Sequence, residues 1–498
     1  MGGKLIVDLL KNLAMNPWVL LATVAIYFGM LILIAQLTGR NAGNLSFFLG
    51  NRKSPWYIVA FGMIGASLSG VTFISAPGWV GSSQFSYMQM VLGYLLGYVV
   101  IIHVLLPLYY RLQLTSIYTY LHERLGRTSY KTGASFFLLS RIIGASFRLY
   151  LVAITFQLVL PESWNVPFAL LVLITILLIF LYTFRGGIKT IIWTDTLQTI
   201  FMLGAVALSV YFISAETGFG FRSTLRLIQE SEYSRIFFFD DPLAGTYFFK
   251  QFFAGMFITI VMTGLDQDMM QKNLSCRTLK DAQKNMYWFS LALLPVNLLF
   301  LGLGALLYLY ADQVSLELPA KADHLFPLIA TGGFFPDYLA IIFLLGLLAA
   351  AYSSADSALT SLTTSFSVDI LEIDRYQNEA KQTRVRKWVH AGISVALFVV
   401  ILIFHAIQDE SVIAAIFTVA GYTYGPLLGL YAYGLFTKLP TNDRLVPVIA
   451  ILSPVLSWFI KLFLQTTYSY EMSFELLILN GFITYVGLWL IRFLPSKN

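Results

Sequence analysis

Long apolar runs recur along this chain, each close to the ~20 residues that a helix needs to cross a bilayer, and short polar stretches divide them. They predict about 13 membrane-spanning helices, at 18–38, 56–80, 87–110, 132–160, 166–184, 190–214, 247–266, 287–311, 337–368, 388–406, 411–435, 445–465 and 473–493. The fold class is therefore an all-α membrane protein. The first run is too long for a signal h-region and no A-x-A site follows it, so it counts as a span. The two longest outer loops, 215–246 and 312–336, are too short for a catalytic domain. Residues 1–498 read as a single membrane domain without an appended module.

One run departs from pure apolarity. Within IIFLLGLLAAAYSSADSALTSLTTSFSVDI, residues 341–370, Ser353, Asp356, Ser357, Thr360 and Thr364 fall at helical spacing on one side. A carboxylate on a spanning helix costs at least ~2.5 kcal/mol on insertion scales, so it faces the protein interior or a water-filled cavity. Hydroxyl and carboxylate oxygens are hard ligands that suit cations other than transition metals. Ser and Thr alone could equally serve close helix packing or back-bond to their own turns. With Asp356 among them, a cation site is the better reading.

Composition sharpens this picture: 58% of residues are hydrophobic and only 12% charged, which no soluble domain of this length shows. The net charge of +6 is a topology signal and does not point to nucleic acid. Arg and Lys collect in alternate loops, at Arg111, Arg124, Arg127 and Lys131, then Arg185 and Lys189, then Lys272, Arg277 and Lys280, then Arg375 to Lys387. The loops around 81–86, 161–166 and 407–410 have none. This positive-inside pattern predicts an outer N-terminus and a cytoplasmic C-terminus in a cell membrane, a bacterial inner membrane being expected. Lys4 and Lys11 run against it, in what reads as an interfacial amphipathic turn. The single Cys276 permits no intramolecular disulfide, and the scattered His residues form no H-E-x-x-H. Without a G-x-S-x-G or a P-loop, hydrolase and ATP-driven pump readings lack their chemistry. A membrane enzyme acting on lipid-linked substrates would need paired Asp motifs or a buried His near a loop. A transport-like sensor would need a signalling domain after residue 493, and the chain ends at Asn498.

Span 56–80 contains GASLSGVTFISAPG, whose Gly and Pro free backbone groups at membrane depth. That is tolerated only where protein or a cavity satisfies them. Segment 247–271 ends MTGLDQDMMQ, again with Gly and polar residues. Interrupted spans at matching places in two halves point to an inverted-repeat secondary transporter.

These residues carry a resemblance. SLSGVTFISAPG, YTYLHERLG (118–126), RGGIKTIIWTDTLQ (185–198), GLDQDMMQ (264–271), AAAYSSADS (349–357) and GYTYGPLLGL (421–430) occur in an order that resembles the sodium/solute symporter family. The resemblance covers roughly residues 18–440. It implies a LeuT-like fold of ten core helices in two inverted repeats, 56–214 and 247–435, with an extra helix at 18–38 before them and two at 445–493 after. It also implies symport driven by one or two sodium ions. The sodium ligands carried over are the carbonyls of Gly65, Leu68 and Ala350 with the hydroxyls of Ser353 and Ser354, an uncharged five-oxygen cage. Asp195, Asp356 and Ser357 match the positions of a second cation site found in some members. An Asp at 356, where a hydroxyl is more usual, could strengthen that site or bind a proton.

The same resemblance places the substrate near the midplane. Candidate lining residues are Ser69, Val71, Thr72 and Phe73 at the first break, Thr259 and Thr263 before the second, and Tyr422 and Tyr424. Arg141 and Arg148 lie seven residues apart, nearly on one helix face. A guanidinium at membrane depth wants a partner, and a carboxylate matches it in bidentate geometry, whether from the protein or from a substrate. Val71-Thr72 replaces the polar pair usual in sugar carriers. The expected solute is thus a carboxylate-bearing anion or zwitterion, with sialic acid the leading example. A neutral sugar, a polyol or a proline-like amino acid is the alternative; the sequence leaves the oligomeric state open, a monomer being compatible with it.

Overall fold

Helices occupy the apolar stretches of the computed structural model, which describes residues 17–494 apart from 40–42, 161–163, 217, 219, 408–411, 469, 471 and 473. Lys4, Lys11 and the side chain of Val71 lie outside the described residues. In chain order the main helices are α1 (Pro17–Gly39), α2 (Trp56–Ser67), α3 (Gly70–Ser83), α4 (Tyr87–Arg111) and α5 (Arg127–Val159). There follow α6 (Phe168–Gly186), α7 (Ile188–Glu216), α8 (Phe248–Gly264), α9 (Gln267–Leu274) and α10 (Leu279–Gln313). The last are α11 (Asp337–Ile370), α12 (Glu379–Ile407), α13 (Val412–Phe436), α14 (Val446–Tyr468) and α15 (Glu475–Ile491). Among the described residues eight helices are long and apolar enough to cross a bilayer, or up to ten when each bent pair counts as one span.

Several helices outrun their apolar runs. α10 begins eight residues ahead of the predicted span because Thr278 caps it: its Oγ1 accepts the Asp281 N–H at 3.1 Å and donates to the Asp281 carboxylate at 2.9 Å. Hydropathy marks the part of a helix that meets lipid, whereas capping marks where the helix starts.

α11 is the centre of the bundle: 78% of its apolar window is buried within the protein, against 17% for α1. It packs on α2, α3, α5, α7 and α12. α14 lies at the periphery, its window 22% buried. α2 approaches α7 closely because Gly62 and Gly65 face it. A Cβ at Gly62 would stand 3.1 Å from the Asp195 Cβ, and one at Gly65 would stand 3.3 Å from the Thr199 Cα.

The end of the bundle where α5 begins and α11 finishes is tied by polar contacts. Glu372 accepts from Arg127 at 2.8 Å, from Lys131 at 2.6 Å and from Arg375 at 2.7 Å. Lys131 also donates to the Asp369 and Ile370 carbonyls, joining the start of α5 to the end of α11. Nearby, Cys276 is fully buried in the link from α9 to α10, bridged to Ser54, with the Tyr110 hydroxyl 3.1 Å from its carbonyl.

Candidate functional site

Two bends build the site. α2 and α3 meet at 57°, and α8 and α9 at 63°. At the first, Leu68 (φ −87°, ψ 90°) and Ser69 (φ −72°, ψ 169°) are extended, so the last carbonyls of α2 have no helical donor ahead of them. The break lies against the middle of α11: a Cβ on Gly70 would stand 3.1 Å from the Ala351 Cβ. Ser353 and Ser354 are fully buried there, and Ser354 Oγ lies 3.4 Å from the Ala350 carbonyl. Ala350 and the serine pair flank the Ala351 contact on α11, while Gly65 faces Thr199 of α7.

At the second bend the freed carbonyls already have partners. The Tyr109 hydroxyl donates to Gly264 O at 2.8 Å and the Tyr118 hydroxyl to Leu265 O at 3.0 Å. Asp266 caps α9 by accepting from the N–H groups of Asp268 and Met269. Its other oxygen accepts from the Tyr424 hydroxyl at 2.6 Å and lies 3.7 Å from Arg141.

Asp195 is completely buried on α7. Ser353 Oγ donates to its Oδ1 at 2.7 Å, and the Lys272 ammonium stands 2.7 Å from its Oδ2. Asp356, also buried, accepts from the Tyr182 hydroxyl at 2.7 Å through Oδ2. Ser357 turns the other way and donates to Asp268, so its hydroxyl joins the Arg141 network and not the Asp195–Asp356 pair.

The sequence grouped Lys272 with the basic residues of an inner loop. The structure corrects this: Lys272 is on α9, 1% exposed, inside the bundle. The available signal was Asp195 itself, since a buried carboxylate at membrane depth demands a cation. Loop counting had no means of pairing it with a lysine 77 positions on. His390 is buried as well, with Thr183 on one ring nitrogen at 3.0 Å and Thr363 on the other at 2.8 Å, which leaves neither nitrogen for chemistry.

A cavity of about 140 Å³ opens beside the first break. Ser69, Thr72, Arg141, Arg148, Thr259 and Thr263 line it, and Tyr87, Tyr94, Tyr98 and Asn297 complete its polar wall. Sequence reasoning missed the last four. Phe73 is not on the wall; it packs among Phe300, Phe326 and Phe343 because its face of α3 points into the core. Tyr424 is held by Asp266, and Tyr422 also lies off the wall. The two arginines differ. Arg141 pairs with Asp268 and faces Asp266. No ion pair among the described residues involves Arg148, whereas the Nε of each arginine lacks a hydrogen-bond partner there.

A helical bundle with two interrupted spans flanking a buried polar cavity defines a multi-pass membrane carrier. The model of the sodium:solute symporter family matches residues 47–443, and the chain belongs to that family. It is a membrane transporter coupled to sodium, not an enzyme. The sodium/sialic acid symporter SiaT of Proteus mirabilis (strain HI4320) is 24% identical over 464 residues, 86% of this chain and 88% of that protein. The sodium-dependent multivitamin transporter of Oryctolagus cuniculus is 27% identical over 402 residues, 78% of this chain and 61% of its own length. Among solved structures, a Na⁺-coupled sialic acid symporter in a substrate-bound outward-open state superposes with a TM-score of 0.81. It is 20% identical, covering 96% of this chain and 98% of the other, which establishes a shared fold.

Proposed function

We propose that this chain imports a small carboxylate-bearing solute, with sialic acid the leading candidate, together with sodium by alternating access. The observation that carries the proposal is Arg148, a guanidinium on the cavity wall with no carboxylate of its own. A solute carboxylate supplies the bidentate partner it lacks. The hydroxyls of Ser69, Thr72, Thr259 and Thr263 on the same cavity would hold the polar remainder of the solute. Arg141, satisfied by Asp268, serves the scaffold.

Sodium would sit against the first break, on the carbonyls of Gly65, Leu68 and Ala350 and the hydroxyls of Ser353 and Ser354. Five oxygens without formal charge suit a monovalent ion that must leave again. Asp195 and Asp356 form the neighbouring cation position. In this reading all thirteen helical segments span the membrane, α2–α7 and α8–α13 are the two inverted halves, and α1, α14 and α15 are additions. The N-terminus is outside, the C-terminus is cytoplasmic, and the carrier works as a monomer.

Uptake of radiolabelled solutes into proteoliposomes tests the assignment. Sialic acid, a monocarboxylate, proline and a neutral sugar are each offered with sodium and with choline. Sodium-dependent uptake of a carboxylate-bearing compound is expected. Transport confined to the neutral sugar removes the role assigned to Arg148.

A further inference from the structure

Both oxygens of Asp195 face a partner: the Lys272 ammonium forms an ion pair with Oδ2 and Ser353 Oγ donates to Oδ1, each at 2.7 Å. Lys272 is 1% exposed, and apart from this contact its Nζ has no hydrogen-bond partner among the described residues. Three residues beyond Ser353, one turn along α11, Asp356 spends one oxygen on Tyr182 and leaves Oδ1 without a hydrogen-bond partner among the described residues. It lies within electrostatic reach of both Asp195 and Lys272. A buried ammonium is costly unless opposite charge stands against it, and here Asp195 does, with Asp356 one α11 turn beyond its partner Ser353. Lysine also carries a compact point charge on a flexible stem, closer to a bare monovalent ion than the planar guanidinium is.

We propose that the Lys272 ammonium is the second cation of this carrier, tethered at the position between Asp195 and Asp356, so that one sodium ion binds per transport cycle. With Asp195 and Asp356 both ionised the charges balance: two carboxylates and one ammonium leave a single negative charge, which one sodium in the uncharged cage cancels. A further sodium would leave a net positive charge in a low-dielectric interior, where unbalanced charge is most costly. Ser353 couples the two positions. Its proton goes to Asp195, which leaves its lone pairs free to accept a cation.

The inference rests on the sodium-coupled reading and can be tested without the solute, using sodium as the probe. Equilibrium binding of ²²Na⁺ to the purified full-length chain in nanodiscs is expected to give one sodium per chain. Lys272→Arg keeps the tethered charge and should also bind one. Lys272→Met uncovers Asp195 and should bind two. Should Lys272→Met fail to give monodisperse protein, Asp195→Asn/Lys272→Met removes the charge imbalance and is expected to fold and bind one sodium. Two sodium ions in the wild type, or only one in monodisperse Lys272→Met, overturns the tethered cation while leaving sodium coupling intact. No sodium binding by the wild type overturns both.

Discussion

On α5, Arg141 and Arg148 share a cavity but not a fate, because Asp268 stands opposite only the first. Arg148→Lys keeps the charge and loses the planar fork, so substrate affinity should fall roughly ten- to hundred-fold, the equivalent of about 1.5–3 kcal/mol for a charge-assisted bond. Arg141→Lys should instead lower the yield of folded protein and leave affinity unchanged in what survives. Competition binding on both variants checks this, and normal affinity in Arg148→Lys would remove the carboxylate contact. At the cage, Ser354→Ala takes away one of five oxygens. The sodium concentration for half-maximal uptake should then rise several-fold, read from uptake against sodium at fixed membrane potential. The hydroxyl stripe on residues 353–364 was legible in sequence from its helical spacing and from Asp356 within it, although Ser354, Ser361, Thr363 and Thr364 also donate to carbonyls of their own helix. The directions in which Ser353 and Ser357 point were not legible. They depend on Asp195 and Asp268, which come from two other helices.

The two interrupted spans look alike in sequence and differ in what they offer a ligand. The break between α2 and α3 leaves backbone carbonyls beside the Ser353–Ser354 pair, whereas Tyr109 and Tyr118 take up those between α8 and α9. The second bend is therefore a fixed joint. Tyr118→Phe should keep the ring against Phe137, 5.4 Å between centroids, and leave the Leu265 carbonyl without a donor. A buried unsatisfied acceptor costs about 1–3 kcal/mol. Thermal unfolding in detergent should show that loss, with sodium affinity close to that of the wild type. An unchanged melting temperature would mean that another donor replaces the hydroxyl. Both breaks were readable from Gly, Pro and polar residues inside apolar runs. Their different roles were not, because tyrosines 146 or more positions away decide them.

Across the whole molecule, Glu372 ties α5 to the inner end of α11. Its backbone is in the left-handed region (φ 51°, ψ 45°), which a residue with a side chain occupies only when its surroundings hold it there. The bonded Lys131 ammonium, with desolvation opposing and Arg127 adding to it, brings the Glu372 carboxyl down to about 2. Because this folded-state value lies below that of the unfolded chain, the contribution is complete above the ordinary carboxylate range. It fades only as pH falls from there towards 2. The tie therefore persists throughout physiological pH. Glu372→Gln removes the negative charge from three cations at once and should shift the carrier towards the state open to the cytoplasm.

That shift has a reporter already in the chain. Cys276 is the one thiol, so a maleimide can mark no other side chain. Burial, reinforced by the charge of Asp281, pushes the thiol up to about 12, which makes it nearly inert at neutral pH while it stays buried. Parting of the link from α9 to α10 from Ser54 would admit water, return the thiol to its usual range and expose it to reagent. The rate of maleimide capture by the unmodified protein should therefore serve as a clock for inward opening. It should run faster in Glu372→Gln than in the wild type, and equal rates in the two would dissociate the Glu372 tie from that motion. A carrier whose alternation is otherwise followed through engineered labels thus keeps its own time at a residue that touches neither ion nor solute.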